Sequence, residues 1–173
     1  SAMLDSTTGL KDTGTVAAQA LTITVASGDA EATAANLTSL YGKTTVAVDA
    51  SAVTQITGSV DAANIVYAAG ASEITGLGNE TVVTTDDVLS VTRLNTLDDN
   101  TTGAVNAASV TDLTGTLADL LTAYGSNGIT GLGNEMILLS DSEVSVTDLN
   151  TLDAYTSATI DASTITDLSL IHI

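Results

Sequence analysis

Oxygen-bearing side chains stand close together at three places: Asp86-Asp87, Asp98-Asp99 followed by Asn100, and Asp141-Ser142-Glu143. Paired carboxylates suit a hard cation such as Ca²⁺, which takes roughly six to eight oxygen ligands. Asp86, Asp87, Asp98, Asp99, Asp141 and Glu143 are therefore the candidate calcium ligands, and Ca²⁺ is the only cofactor the composition invites. The spacing argues against a standard loop. Asp98-x-Asn100-x-x-Gly103 has Thr102 at a ligand position and Ser109 where an EF-hand needs its bidentate Glu. Helix capping accounts equally well for Asp86, Asp87 and Asp141. Asp49, Asn106 and Asp161 align with one another and read either as a bend or ladder or as a ligand row. Tyr41, Tyr67 and Tyr124 read as the edge of a core or as a sugar-stacking platform. Gly76-Leu77-Gly78 opens like a dinucleotide fingerprint but lacks the third glycine, since Thr81 and Met136 occupy that place in its two occurrences. Cysteine is absent, and His172 is the one histidine, so no nucleophile–base pair is expected. No catalytic or cofactor-binding residue is assigned, and the chain is read as a non-enzyme.

The net charge is −18, with three Lys and Arg against 21 Asp and Glu. Phosphate neutralisation has no partner in such a chain, so nucleic-acid binding is not expected. Attraction to an anionic membrane surface is excluded by the same argument, and no run approaches the roughly 18 apolar residues of a membrane span. Apolar residues make up 44 %, with no Phe, Trp or Pro. The core must be built from Val, Leu, Ile and Ala, which suits a thin, repetitive interior.

The elements that must position these groups come in copies. Ile74-Thr-Gly-Leu-Gly-Asn-Glu80 returns unchanged at Ile129–Glu135, an offset of 55 residues, and 16 of 27 positions agree between 74–100 and 129–155. Self-similarity at such a period is the mark of a repeat architecture. The alternation in Ala20–Val25, Val46–Ser51, Val53–Gly58, Ile74–Leu77 and Thr81–Thr84 predicts strands. Helices are expected over 30–41, 60–69 with Ser59 as N-cap and Gly70 as stop, from Thr85 or Asp86 to Asp98 with Val88, Val91, Leu94 and Leu97 inward, from Thr116 with Asp119 as a capping box, and from a Ser140–Glu143 capping box to about 154. The predicted fold is an α/β, solenoid-like repeat protein. It has about five stacked strand-strand-helix units of roughly 27 residues each, in two alternating flavours that together make the 55-residue period. Two arrangements remain open: a coil contributing one strand per sheet, or a hairpin in which Gly78-Asn79 turns the chain back. The expected organisation is an irregular lead-in over 1–16, beginning with Ser1-Ala2-Met3 as a tag scar, one elongated domain over 17–168, and a non-native tail over 169–173.

The set of motifs Ile-Thr-Gly-Leu-Gly-Asn-Glu, Leu-Asn-Thr-Leu-Asp and Val-Thr-Asp-Leu-Thr-Gly-Thr, over about residues 20–168, resembles the tandem repeats of very large surface proteins of marine cyanobacteria and related aquatic bacteria. The resemblance implies a structural or adhesive segment of an exported protein at the bacterial cell surface. Its neighbours would be further repeats of the same chain, other surface proteins or glycans. No functional residue carries over from it. The alternative is a calcium- or glycan-binding module along the acidic surface. Leu168-Ser-Leu-Ile-His-Ile173 resembles a translated sequencing adapter, which would make His172 non-native, point to a metagenomic assembly as source, and have the native chain continue.

Overall fold

The computed structural model describes residues 20–169, so the expectations for 1–16 and for residues 170–173, including His172, lie outside the described residues. It is an α/β fold of parallel sheets and five helices. The helices are α1 (Ala34–Tyr41), α2 (Val60–Glu73), α3 (Val91–Asn100), α4 (Leu117–Gly125) and α5 (Val146–Asp153). The strands are short: β1 (Glu31–Thr33), β2 (Val48–Asp49), β3 (Gln55–Gly58), β4 (Ile74–Thr75), β5 (Thr81–Thr84), β6 (Val88–Ser90), β7 (Val105–Asn106), β8 (Asp112–Gly115), β9 (Ile129–Thr130), β10 (Met136–Leu139), β11 (Glu143–Ser145), β12 (Ile160–Asp161) and β13 (Asp167–Ser169).

Every ladder is parallel, in sheets ordered β1-β3-β5-β7-β9, β6-β8-β10-β12, β11-β13 and β2-β4. Paired residues lie from 23 apart, as Val82 with Val105, to 26 apart, as Gln55 with Thr81. Each pass of the chain thus lays a strand beside the one before it, in the same direction. Parallel pairing removes the hairpin alternative. Gly78-Asn79 is a bend between β4 in one sheet and β5 in another. The helices pack in chain order, α1 on α2, α2 on α3, α3 on α4 and α4 on α5.

The aliphatic residues do what alternation demands. Ile56, Val82 and Val105 point inward from the five-stranded sheet, and Leu89, Leu113 and Ile137 from the four-stranded one. They meet Leu37, Ala63, Leu94, Leu97, Leu120 and Leu152 from the helices in one cluster. Each such burial contributes about 1.5–3 kcal/mol relative to exposure. The outward threonines have a use that composition alone does not reveal. Thr57 donates to Ala32 O at 3.4 Å, Thr75 to Val48 O at 3.3 Å, Thr114 to Leu89 O at 3.5 Å and Thr130 to Val105 O at 3.3 Å. A hydroxyl on one pass closes on a backbone carbonyl of the previous pass, which explains a Thr-rich strand set better than propensity does.

Several expectations are corrected. Residues 31–33, 88–90 and 143–145 are strands leading straight into helices, not first helical turns. Helix α1 starts at Ala34 under a Thr33 cap, not at 30. Val88, expected inside, is 63 % exposed. The cause is pairing: Val88–Ser90 aligns with Asp112–Thr114 of β8, and a ladder to the next pass outweighs the local helical spacing. Glu143 likewise pairs in β11 with Asp167, so Ser140–Glu143 is no capping box, and Ser145 caps α5. Ala20–Val25 contributes only the bridge from Thr24 to Asp49. Ser59 and Thr116 do cap their helices, accepting from Ala62 N–H at 3.2 Å and Asp119 N–H at 3.1 Å. Gly70 adopts φ 64° and breaks α2 where expected.

Candidate functional site

The recurring heptapeptide ends in the most unusual side chains of the molecule. Glu80 and Glu135 are completely buried among aliphatic residues. A buried carboxylate persists only with donors around it, and the local sequence supplies them. Ile74 and Ile129 anchor the short strands β4 and β9 in the core. Gly76 then turns the chain with φ +84°, so close to the preceding pass that a Cβ would stand 2.6 Å from the backbone of Ser51. Gly131 repeats this with φ +88° against Ala108. Two residues on, Gly78 N–H donates to Glu80 Oε2 at 2.8 Å, and Gly133 N–H donates to Glu135 Oε1 at 3.0 Å and Oε2 at 2.8 Å. The heptapeptide thus closes on its own final carboxylate.

The second donor comes from the helix before. Tyr67 on α2 donates its hydroxyl to Glu80 Oε2 at 3.0 Å, and Tyr124 on α4 donates to Glu135 Oε2 at 2.8 Å. Burial pushes the Tyr67 phenol above its ordinary range, opposed by the Thr101 hydroxyl and reinforced by the Glu80 charge. Burial likewise raises the Tyr124 phenol, with the hydrogen bond and charge of Glu135 adding to it. A third tie runs forward: Thr101 donates to Glu80 O and Thr156 to Glu135 O, both at 3.1 Å. Tyrosine, glycine and threonine from consecutive passes therefore converge on one acidic residue. The residue-level reading singled out Tyr67 and Tyr124 but passed over Glu80 and Glu135. The available clue was an identical acidic residue, retained in both copies, at the entry to an apolar strand.

Tyr41 has a different place from the other two tyrosines. It closes α1, whose following Thr44 donates to Leu21 O at 2.6 Å, as Thr101 does to Glu80 O. Leucine stands there where the later copies carry glutamate.

The candidate calcium ligands are dispersed, and three of the six carboxylates, those of Asp86, Asp98 and Asp141, already accept hydrogen bonds from protein donors. Asp86 Oδ2 accepts from Val60 N–H, the first residue of α2, at 2.7 Å, and Asp141 Oδ2 accepts from Leu117 N–H, the first of α4, at 2.7 Å. Capping is thus the role of both, but for the helix of the preceding pass rather than their own. Asp87 offers its backbone carbonyl to Thr111 and Asp112 N–H. Asp98 accepts from the Ser126 hydroxyl at 2.6 Å. Asp99 lies exposed near the end of α3 and Glu143 exposed on β11. Among the described residues no three carboxylate or histidine groups gather where a metal ion could sit. Asp49, Asn106 and Asp161 form the same bend three times, accepting from the N–H two residues on: Ser51 at 3.0 Å, Ala108 at 3.0 Å and Ser163 at 2.9 Å. The Ser51 hydroxyl and N–H hold the Asp49 carboxyl below its ordinary range, and the Ser163 N–H and hydroxyl do the same for Asp161. Among the described residues no helix is long and apolar enough to cross a membrane. Compared with protein-family models, curated proteins and solved structures, the chain matches none of them.

Proposed function

We propose that this chain is a non-enzymatic structural or adhesive segment of a large exported bacterial surface protein, wound as an α/β solenoid of strand-strand-helix units in two alternating flavours. One observation carries the reading: successive passes pair in parallel at offsets of 23 to 26 residues, through thirteen short strands, while the 55-residue sequence period brings back the same buried Glu. In a quasi-one-dimensional array each unit buries its apolar face only against its neighbours, and a stalk or surface layer uses that property. Three of the carboxylates that first suggested chemistry, Asp86, Asp98 and Asp141, are engaged in holding passes together. Asp86 and Asp141 cap helices, and Glu80 and Glu135 gather donors from consecutive passes. Localisation at the cell surface and partners among further repeats, surface proteins or glycans belong to this proposal.

The competing reading is a calcium-binding module along the acidic surface. Thermal melting with millimolar Ca²⁺ and with Mg²⁺ separates the two. The structural reading expects the same melting temperature in both. A rise of several degrees with Ca²⁺ alone would overturn it.

A further inference from the structure

The two copies of the Glu–Tyr arrangement differ in one respect. In the second, the ring of Tyr155 lies flat against Tyr124, with centroids 5.5 Å apart and planes 7° from parallel. In the first, the residue at the place of Tyr155, 55 positions earlier, is Asn100. Asn100 is exposed and donates its side-chain amide to Asn64 Oδ1 at 3.1 Å, on the polar side of α2. Beside Tyr67 this leaves a cleft of about 230 Å³, lined by Val66, Tyr67, Ile74, Leu77, Gly78 and Asn100 among others. The break of α2 at Gly70 forms one wall and the bend at Gly76–Gly78 another. The carboxylate behind Tyr67 and Gly78 also differs between copies. Both oxygens of Glu135 accept hydrogen bonds, whereas Glu80 Oε1 is buried with no partner.

We propose that the cleft beside Tyr67 is a binding site for an aromatic side chain of a partner polypeptide, with tyrosine as the fitting class. The protein itself provides the template, because Tyr155 on Tyr124 is the same stack made within the chain. Offset parallel stacking and the burial of a phenol ring are the forces such a site offers. Leu77 and Ala71 supply apolar surface beside the Tyr67 ring, and Thr75 and Asn100 supply a hydroxyl and an amide at its margin. A saccharide would meet the Thr75 hydroxyl and the Asn100 amide, so it is the competing occupant, and the stack of Tyr155 on Tyr124 favours the phenol ring. A nucleobase would bring phosphate against a chain of net charge −18. The same charge selects a neutral or basic segment around the aromatic residue.

The test is an amide chemical-shift titration of the whole chain with N-acetyl-L-tyrosinamide, to tens of millimolar, beside methyl α-glucoside. The native protein should bind the tyrosinamide at one site, with shifts at Tyr67, Gly78 and Asn100. Asn100→Tyr should fill the cleft from within and weaken binding by about tenfold or more. Tyr155→Asn should open an equivalent second site at Tyr124, doubling the number of sites. If Asn100→Tyr does not fold, the Tyr155→Asn arm decides. The proposal falls if the native protein shows no shift with the tyrosinamide, if the glucoside shifts these resonances more strongly, if folded Asn100→Tyr binds as the native protein does, or if Tyr155→Asn gains no site.

Discussion

At the scale of single residues, Glu80 and Glu135 set the rules. A carboxylate with no exposure is tolerable because Tyr67 or Tyr124 and a glycine N–H face it. Removing one partner of such a pair leaves the other uncompensated. Tyr67→Phe is therefore expected to destabilise the fold by about 1–3 kcal/mol in urea unfolding. Glu80→Leu combined with Tyr67→Phe should cost less than the sum of the two single changes, because both halves of the polar pair leave together. Leu21, whose carbonyl accepts from Thr44 as that of Glu80 does from Thr101, is a natural instance of the apolar choice at this place. A double substitution as costly as the sum would mean that the pair is not coupled.

At the scale of elements, consecutive passes of the chain fit closely against each other. The bend made by Asp49 or Asn106 brings Ser51 or Ala108 against Gly76 or Gly131 of the next pass. A methyl group at Gly76 meets backbone at 2.6 Å and a left-handed φ, whereas Gly78 has nothing within 4 Å of a Cβ. Gly76→Ala should cost about 3 kcal/mol or more, and Gly78→Ala about 1 kcal/mol from its φ alone. Equal losses in denaturant melts would refute the close-approach argument. The caps behave similarly across passes. Asp86→Ala and Asp141→Ala should each remove about 1–2 kcal/mol by stripping the acceptor from the first N–H of α2 or α4. Hydrogen exchange should show the effect at residues 60–63 and 117–120, not at α3 or α5, whose own starts the sequence suggested these aspartates serve.

For the whole molecule, stability depends on neighbouring passes staying together, and alkali attacks those ties. Tyr67 and Tyr124 titrate above the ordinary value of 10.0 in the folded chain. Past pH 10 the unfolded chain loses these protons first, so the folded state binds more of them and stability must fall as pH rises. Below 10 the contribution is fully present. Melting temperature followed from pH 8 to 11 should decline beyond about 10, and the decline should be shallower in Tyr124→Phe. A flat profile would show that the phenols are not held by burial and their glutamates.

Sequence by itself determined the period, the aliphatic core and the local punctuation. The offset of 55 residues, the caps at Ser59 and Thr116, the break at Gly70 and the bends at Asp49, Asn106 and Asp161 all depend on residues within four positions of one another or on repetition of the string. Tertiary structure decided everything that acts between passes. It made strands of Val88–Ser90 and Glu143–Ser145, because a ladder to residues 24 positions further on, as from Val88 to Asp112, outweighs local helical spacing. It gave Asp86 and Asp141 to helices that precede them, and it buried Glu80 and Glu135 under tyrosines 13 and 11 residues earlier. The physical reason is the same in each case: a hydrogen bond or a buried charge is set by what lies beside it in space, and in a parallel array that neighbour belongs to another pass of the chain.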